Sequence, residues 1–594
     1  MGLRAKFLGA LGTVTGSCHM LHDTRTDRYY LVDCGSYQGI GSRQLADTRF
    51  IDGRIGGIEC SRISAVFLTH AHADHSGMLP HLVLNGFRGQ IFCTEFTKWA
   101  TLSSLYDSAQ FPGSGYDQNV VIKVQALMRS VDEDEKYCPF VLGWTRKVNP
   151  KEDHFGFNFT RTAHLMGCVA IEFIYNDQPE GVSTRDDERI RILFGADTGN
   201  IWDAEAQGSL VKAIQPPSPE TQTIVLESTY GGRIRETLNF RQRIEKLADE
   251  LEAAAKDRES PVIVIPAFAI QRTQEIIMDI ASILHFTPER VPSLFKDGKP
   301  PVIESSSRMA NGIGNQMRTE FFRLNGKNKV SFANLDHPLL AEARDEAELG
   351  MLLGHLFCGE ESPELSAKFD MRHGQHSGPV GEPGRCKIVL GSNGMCAGGG
   401  IVGILSEALK DEDATVLLTG YQSPGTPGFT LAKIAKGETD PKSECFEKVI
   451  GIKTSDIRAT IRNVGALYSA HADQAGLVRY CLRKDRADRP YFPVTVVLVH
   501  GDEESRDQLR EALQKWDLAN KDASRGLNKV FTPSNGAGWY DCKTRSFVQD
   551  SAPGDSEKLA ALSIRHAMLK SAVERHLEGD LPAEQVKKYL ESEH

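Results

Sequence analysis

The stretch SAVFLTHAHADHSG places three imidazoles and a carboxylate, His70, His72, Asp74 and His75, directly after an apolar run. Alternate residues of an extended chain share a side, so His70 and His72 can face one ion while a turn sends Asp74 and His75 to a second. Each of these groups is costly to desolvate unless it is paired or metal-bound, and their concentration at one strand end therefore reads as a two-metal site. Two divalent ions ~3.5–4 Å apart acidify a shared water and clamp the attacking and leaving oxygens of a phosphoryl displacement. Zinc suits mixed imidazole and carboxylate donors best, and manganese and iron accept the same ligand types.

A strand end must be held by a sheet, and the first two hundred residues supply one. AKFLGAL, YYLVDCG, SAVFLTH, QIFCTEF, VAIEFIY and RIRILFGAD are short strand-like runs separated by turn residues. TKWATLSSLYDSAQF and NVVIKVQALMRSV, between Thr97 and Phe155, read as a helical excursion from that sheet. From about residue 210 the rhythm changes to apolar strands followed by amphipathic helices, as in TIVLES before RQRIEKLADELEAAAK and PVIVIPAFA before QRTQEIIMDIASIL. Continuous Val/Ile/Leu runs alternating with helices signal a parallel sheet covered on both faces. After about 450 the earlier kind of pattern returns with VIGIKT, NVGALYSAH and PVTVVLVHG. The expected organisation is therefore an α/β domain over 1–209, an inserted α/β domain over 210–450, the second part of the first domain over 451–520, and a helical extension over 521–594. The extension, with Leu559, Leu562, Leu569, Val573 and Leu577 on a rough stripe, reads either as packing or as a surface for a homo-oligomer.

The chain carries 69 basic and 79 acidic residues for a net charge of −10. A protein that held nucleic acid by bulk charge would have a basic surplus, so an anionic substrate needs a local site here. No run approaches ~18 apolar residues, which argues against a membrane span. The N-terminus lacks the apolar core of a secretory signal. Twelve cysteines without a CxxC pair fit reduced thiols and a cytoplasmic setting. Phosphate-loop, GxSxG and dinucleotide-binding spacings are absent from the sequence.

HxHxDH at a strand end resembles the signature of the metallo-β-lactamase superfamily, which implies a four-layer αββα sandwich with a di-metal centre. By that resemblance Asp33 of LVDCG orients the ligating histidines from behind, while His164 of RTAHLMG and Asp197 of LFGADTGN match the later motifs. His70, His72 and His164 then hold one ion, Asp74 and His75 belong to the second, and Asp197 bridges the two. Further along, ESTYGG with Glu227, LYSAHADQ with His471 and VLVHGDEESR with His500 resemble motifs A, B and C of the β-CASP branch. Members of that branch are nucleases, among them the endonuclease of pre-mRNA 3′-end processing and RNase J. FLGALGTVTGSCHML, PAFAIQRTQE, GSNGMCAGGG and GYQSPGTPG extend the resemblance to about residue 515, most closely to the bacterial stand-alone relatives.

The resemblance implies that the 210–450 insertion is the β-CASP domain and that the activity is hydrolysis of single-stranded RNA, by endonuclease or 5′–3′ exonuclease action, in the cleft between domains. His500 would complete the second ion's shell, as in RNA-acting members. His471 is the implied general acid, because imidazole gives up a proton near neutral pH. Glu227 would orient His471 and raise its pKa, and Asp74 completes the catalytic set. Gly391, Gly394, Gly398, Gly399 and Gly400, between a strand and a helix, offer backbone N–H groups for a phosphate, and Arg272 and Arg308 could reach the RNA backbone. His373 and His376, in loop-like sequence, read as structural. MCAGGGIVGIL and SSSRMANG depart from the family's usual forms, the former being less basic. Two other readings stay open: a thioester or lactone hydrolase of the same fold, and a non-catalytic RNA-processing subunit that has lost its metals.

Overall fold

The computed structural model describes residues 2–37, 49–131, 138–139, 154–178, 188–202, 208–235, 238–323, 334, 336–423, 425–438, 444–468, 470–484 and 491–548. An eight-stranded sheet contains, in spatial order, Ser546–Val548, Trp539–Asp541, Leu3–Phe7, His19–Asp23, Arg28–Val32, Ile63–Phe67, Gln90–Cys93 and Met128–Ser130. A seven-stranded sheet runs Leu527–Phe531, Val494–Val499, Thr223–Glu227, Ile190–Phe194, Val169–Tyr175, Phe155–Arg161 and Cys138–Pro139. The apolar faces of the two sheets meet through aromatic rings. Phe67 of the first stands 4.8 Å from Phe157 and 4.9 Å from Phe173 of the second, both edge-to-face.

The inserted domain has a wholly parallel six-stranded sheet in the order Asp370–His373, Val302–Ser305, Lys387–Gly391, Val262–Pro266, Ala414–Leu418 and Thr460–Asn463. Its central strands are buried along their whole length, as the unbroken apolar runs require. Helix Phe240–Ala255 begins in a reciprocal cap: Asn239 accepts from the backbone of Gln242, whose side chain accepts from the Asn239 N–H. Leu247 and Leu251 of this amphipathic helix are buried, and Ile244 packs beside them.

Three sequence boundaries shift. Thr223–Glu227 pairs in parallel with Ile190–Phe194 and Val494–Val499, so TIVLE belongs to the sandwich and the insertion opens after it rather than at 210. A fully buried parallel strand reads alike in either domain, which is why the pattern misled. Thr460–Asn463 is an edge strand of the inserted sheet, so that domain continues past 450, and VIGIKT ends the helix Glu444–Ile450 instead of forming a strand. The segment after 521, expected to be helical, supplies Leu527–Phe531, Trp539–Asp541 and Ser546–Val548, strands that extend both sandwich sheets. The helical segments expected from Ser556 onward lie outside the described residues. Among the described residues no helix is long and apolar enough to cross a membrane.

Parallel pairing explains how distant residues reach one place. Arg28–Val32 and Ile63–Phe67 run in parallel, so Asp33 and His70 leave the first sheet at the same end. Ile190–Phe194, Thr223–Glu227 and Val494–Val499 are parallel neighbours in the second sheet, so Asp197, Glu227 and His500 emerge together. His164 comes from the turn joining Phe155–Arg161 to Val169–Tyr175 at that same end.

Candidate metal centre

Two ligand groups converge there: His70, His72, His164 and Asp197 in one, Asp74, His75 and His500 in the other. In the first, His72 Nδ1 lies 3.2 Å from Nε2 of both His70 and His164. Asp197 Oδ2 is 3.5 Å from each of those Nε2 atoms. In the second, Nε2 of His75 and of His500 are 3.2 Å apart, and His500 Nε2 is 3.5 Å from Asp74 Oδ2. Asp197 Oδ1 turns to this group, 3.2 Å from His75 Nε2 and 3.6 Å from His500 Nε2. One carboxylate thus offers an oxygen to each group.

These separations suit metal ions. Ligand atoms ~2.0–2.1 Å from a tetrahedral zinc stand about 3.3–3.4 Å from one another. Imidazole nitrogens held so close without a metal would have to share few protons, at a desolvation cost with nothing gained. Among the described residues Asp197 Oδ1 is buried yet has no hydrogen-bond donor in good geometry. The donor set, the spacing and this orphaned oxygen all fit a pair of divalent ions.

Burial holds the His70 and His164 pKa values far below the usual histidine range and lowers that of His72 to about 4, leaving all three neutral and able to donate lone pairs. Burial also opposes charge on Asp197, but the surrounding imidazoles, His500 foremost, outweigh it and keep the carboxyl ionised. Behind the ligands, Asp33 accepts from the Thr69 backbone N–H and hydroxyl at 2.8 Å each and lies 2.7 Å from His75 Nδ1. That contact leaves His75 Nε2 to face the centre. Asp33, Ala163, Ala196 and His500 all adopt left-handed backbone angles, φ between 52° and 60°. Each such kink costs on the order of 1 kcal/mol and lies at or next to a residue of the site.

His471 stands at the rim. Its Nδ1 is 3.0 Å from both carboxylate oxygens of buried Glu227, and its Nε2 is 3.8 Å from Asp197 Oδ2. Burial works against the imidazolium, but Glu227 and Asp197 overcome it and raise the pKa to about 10. The loop is pinned from both flanks: Ala472 N–H donates to the Thr198 carbonyl at 2.6 Å, and Arg235 donates to the His471 carbonyl. Asp473 caps the following helix Gln474–Leu482.

All seven expected ligands, with Asp33, Glu227 and His471, therefore meet at one place. The expected RNA contacts divide. A cleft of about 580 Å³ opens over the centre, and Arg272, Gly398 and Gly399 line it, whereas Gly394 and Arg308 do not. Gly394 instead lies against Phe268, and Arg308 is exposed at the start of its helix. Arg272 is bound to Glu275 at 2.5 Å and lies over the Tyr468 ring. His376 pairs with Glu304, and His373 contacts Asn311 and the His355 carbonyl, which accounts for both within the inserted domain. Sequence reading passed over Thr229, whose hydroxyl is 3.1 Å from His500 Nδ1, and Thr69. Both sit inside quoted motifs, but a threonine beside a strand end carries no signal of its own.

Residues 11–155 match the metallo-beta-lactamase superfamily, residues 234–431 the Beta-Casp domain, and residues 455–533 a domain described as the Zn-dependent metallo-hydrolase RNA specificity domain. A ribonuclease of Thermus thermophilus is 26% identical over 84% of this chain and 92% of its own length. An RNase J-like protein of Methanocaldococcus jannaschii is 25% identical over 86% of this chain and 95% of its own. A transcription termination factor of Methanococcus maripaludis is 26% identical over 84% of this chain and 67% of its own. With both domains in order and the ligand-bearing loops gathered at the seam, the chain belongs to the β-CASP branch of the metallo-β-lactamase superfamily.

Proposed function

We infer that the chain is a metal-dependent ribonuclease that hydrolyses phosphodiester bonds of single-stranded RNA on the floor of the interdomain cleft. The observation that carries this reading is the position of the His471–Glu227 pair beside the twin ligand groups, where an acid and a phosphate-binding centre can serve one scissile bond. His70, His72 and His164 would hold one ion, Asp74, His75 and His500 the other, with Asp197 between them. When bound, two such ions supply Lewis acidity at the phosphate and lower the pKa of water; the donor types favour zinc.

The protein's own contribution is proton delivery and positioning. Glu227 fixes His471 through Nδ1, so Nε2 faces the cleft, and the Glu227 carboxylate favours the protonated imidazole. That proton passes to the departing 3′-oxygen as a solvent-derived hydroxide bonds to phosphorus and the P–O3′ bond breaks, leaving a 3′-hydroxyl and a 5′-phosphate. Among the ligands His72 and Asp74 are partly exposed and the others are buried, and His72, Asp74, His164, Asp197 and His500 line the cleft. A thioester hydrolase has no use for so broad a cleft or for an acid placed beside a leaving alkoxide. Buried thiols such as Cys34, Cys93 and Cys481 accord with a cytoplasmic setting.

The test is incubation of 5′-labelled and internally labelled RNAs with the wild type and His471→Ala, with and without chelator. Chelator-sensitive cleavage that gives 3′-hydroxyl ends, with His471→Ala strongly impaired, is expected. Mononucleotide products mark an exonuclease and discrete fragments an endonuclease. Intact RNA after incubation with metal-supplied wild type overturns the reading, as does thioester turnover that survives His471→Ala.

A further inference from the structure

Two phenylalanines line the cleft, one on each wall, and among the described residues neither ring packs against another ring or a cation. Phe111 follows the helix Glu95–Ser108 on the metallo-β-lactamase side and is 55% exposed. Phe268 follows the strand Val262–Pro266 on the β-CASP side and is half-buried.

The seat of Phe268 is closely made. A Cβ at Gly420 would stand 2.9 Å from the ring and one at Gly394 3.1 Å, so both glycines let the ring lie where it does. Its carbonyl accepts from the Thr273 backbone N–H at 3.1 Å and hydroxyl at 3.0 Å, which fixes the backbone. The ring is thus held rigidly and left partly open to the cleft. Rigid, uncovered aromatic rings beside a nucleic-acid cleft lose little entropy when a base stacks on them.

Charge on the same walls is sparse. Among the described residues lining the cleft Arg272 is the one arginine or lysine, already bound to Glu275, and Asp107 also lines it. Phosphate contacts from these walls therefore supply little affinity. Every base has a π-face, but a duplex hides it in the stack, so rings of this kind select unpaired strands.

We propose that Phe268 and Phe111 are stacking platforms for unpaired bases, and that the chain selects single-stranded RNA by base faces rather than by backbone charge. This rests on the ribonuclease reading above. The test measures binding of a short, fluorescently labelled single-stranded RNA to the full chain in chelator by polarisation, and its cleavage with metal restored. The RNA is used as the parent and as a series with one abasic position each. Phe268→Ala weakens binding of the parent roughly 5- to 100-fold. One abasic position produces the same loss in the wild type and none further in Phe268→Ala, the non-additivity of a direct contact. Phe268→Trp retains binding, and log affinity falls with log salt at a slope of fewer than ~2 phosphate contacts. Gly420→Ala, which drives a methyl into the ring's seat, weakens binding by itself and adds no loss to Phe268→Ala. Indifference to every abasic position, additive losses, or a steep salt dependence overturns the proposal. Cleavage with base-indifferent binding sinks this proposal alone, while base-dependent binding without cleavage sinks the ribonuclease reading and leaves the platforms standing.

Discussion

On the metallo-β-lactamase side of the cleft the functional groups are charged or metal-ligating, held by hydrogen bonds from behind, and placed at the ends of parallel strands. On the β-CASP side the lining is mostly glycine, apolar and neutral polar residues on turns that follow strands of a separate sheet, with Arg272 bound to Glu275. The difference teaches a division of labour. A reacting centre needs atoms fixed to fractions of an ångström, which converging strand ends and a layer of buried supports provide. A surface that accepts many sequences needs faces rather than directed bonds. His471 stands where the two sides meet, on chain returning from the inserted domain, yet its orienting partner Glu227 belongs to the sandwich.

If the sandwich side carries the chemistry, Asp197→Asn should have the largest effect, since it removes charge from the one carboxylate shared by both groups. RNA cleavage falls ~10⁴-fold or more, and metal analysis of the purified protein finds bound ion reduced; full metal content with ordinary turnover would break the assignment. His471→Ala should lower kcat by ~10²–10⁴-fold while KM moves little. A nitrophenyl phosphodiester, whose leaving group needs no proton, separates acid catalysis from structural damage: wild type and variant should hydrolyse it alike. Asp33→Asn, one step removed, leaves a hydrogen bond to His75 but weakens its support, and metal titration should report ~10–100-fold lower affinity.

The smallest effect sharpens the comparison from outside the cleft. Asp23 is buried; burial raises its pKa, but the hydrogen bonds from His154 and Thr26 prevail and bring it down to about 2. A carboxyl depressed in the folded state stabilises above its unfolded pKa of ~3.9, and that stabilisation is lost as pH falls towards 2. The Tm of Asp23→Asn should therefore lie a few degrees below the wild type at pH 7, with the gap narrowing below pH 4. Activity per folded molecule should be unchanged. A gap independent of pH would mean that the charge on Asp23 does not stabilise the fold.

Legibility followed the density of the signal. HAHADH was readable because nothing in ordinary packing rewards that many ligating groups in so short a span, and His164, Asp197 and His500 became readable only through family motif order. Gly394 and Arg308 were misplaced as cleft residues because a glycine-rich turn and an exposed arginine look alike wherever they fall. The domain edge slipped at Thr223–Glu227 because burial on both faces erases the alternation that distinguishes one sheet from another, and at Thr460–Asn463 because a four-residue edge strand with mostly polar, exposed side chains carries no apolar run. Phe268 gave no warning at all, since an apolar residue after a strand is expected to be core.

The sequence by itself determined the ligand types, the presence of two domains with one inside the other, and the chemistry that such donors support, because these are properties of local spacing and side-chain identity. Only the tertiary structure decided that His72 turns Nδ1 to the centre while His70 and His164 turn Nε2, that Asp197 divides its two oxygens between the groups, and that one wall of the cleft is aromatic and nearly uncharged. Those facts depend on which strands pair and in which direction, and pairing between segments hundreds of residues apart is set by the whole core rather than by any one stretch of chain.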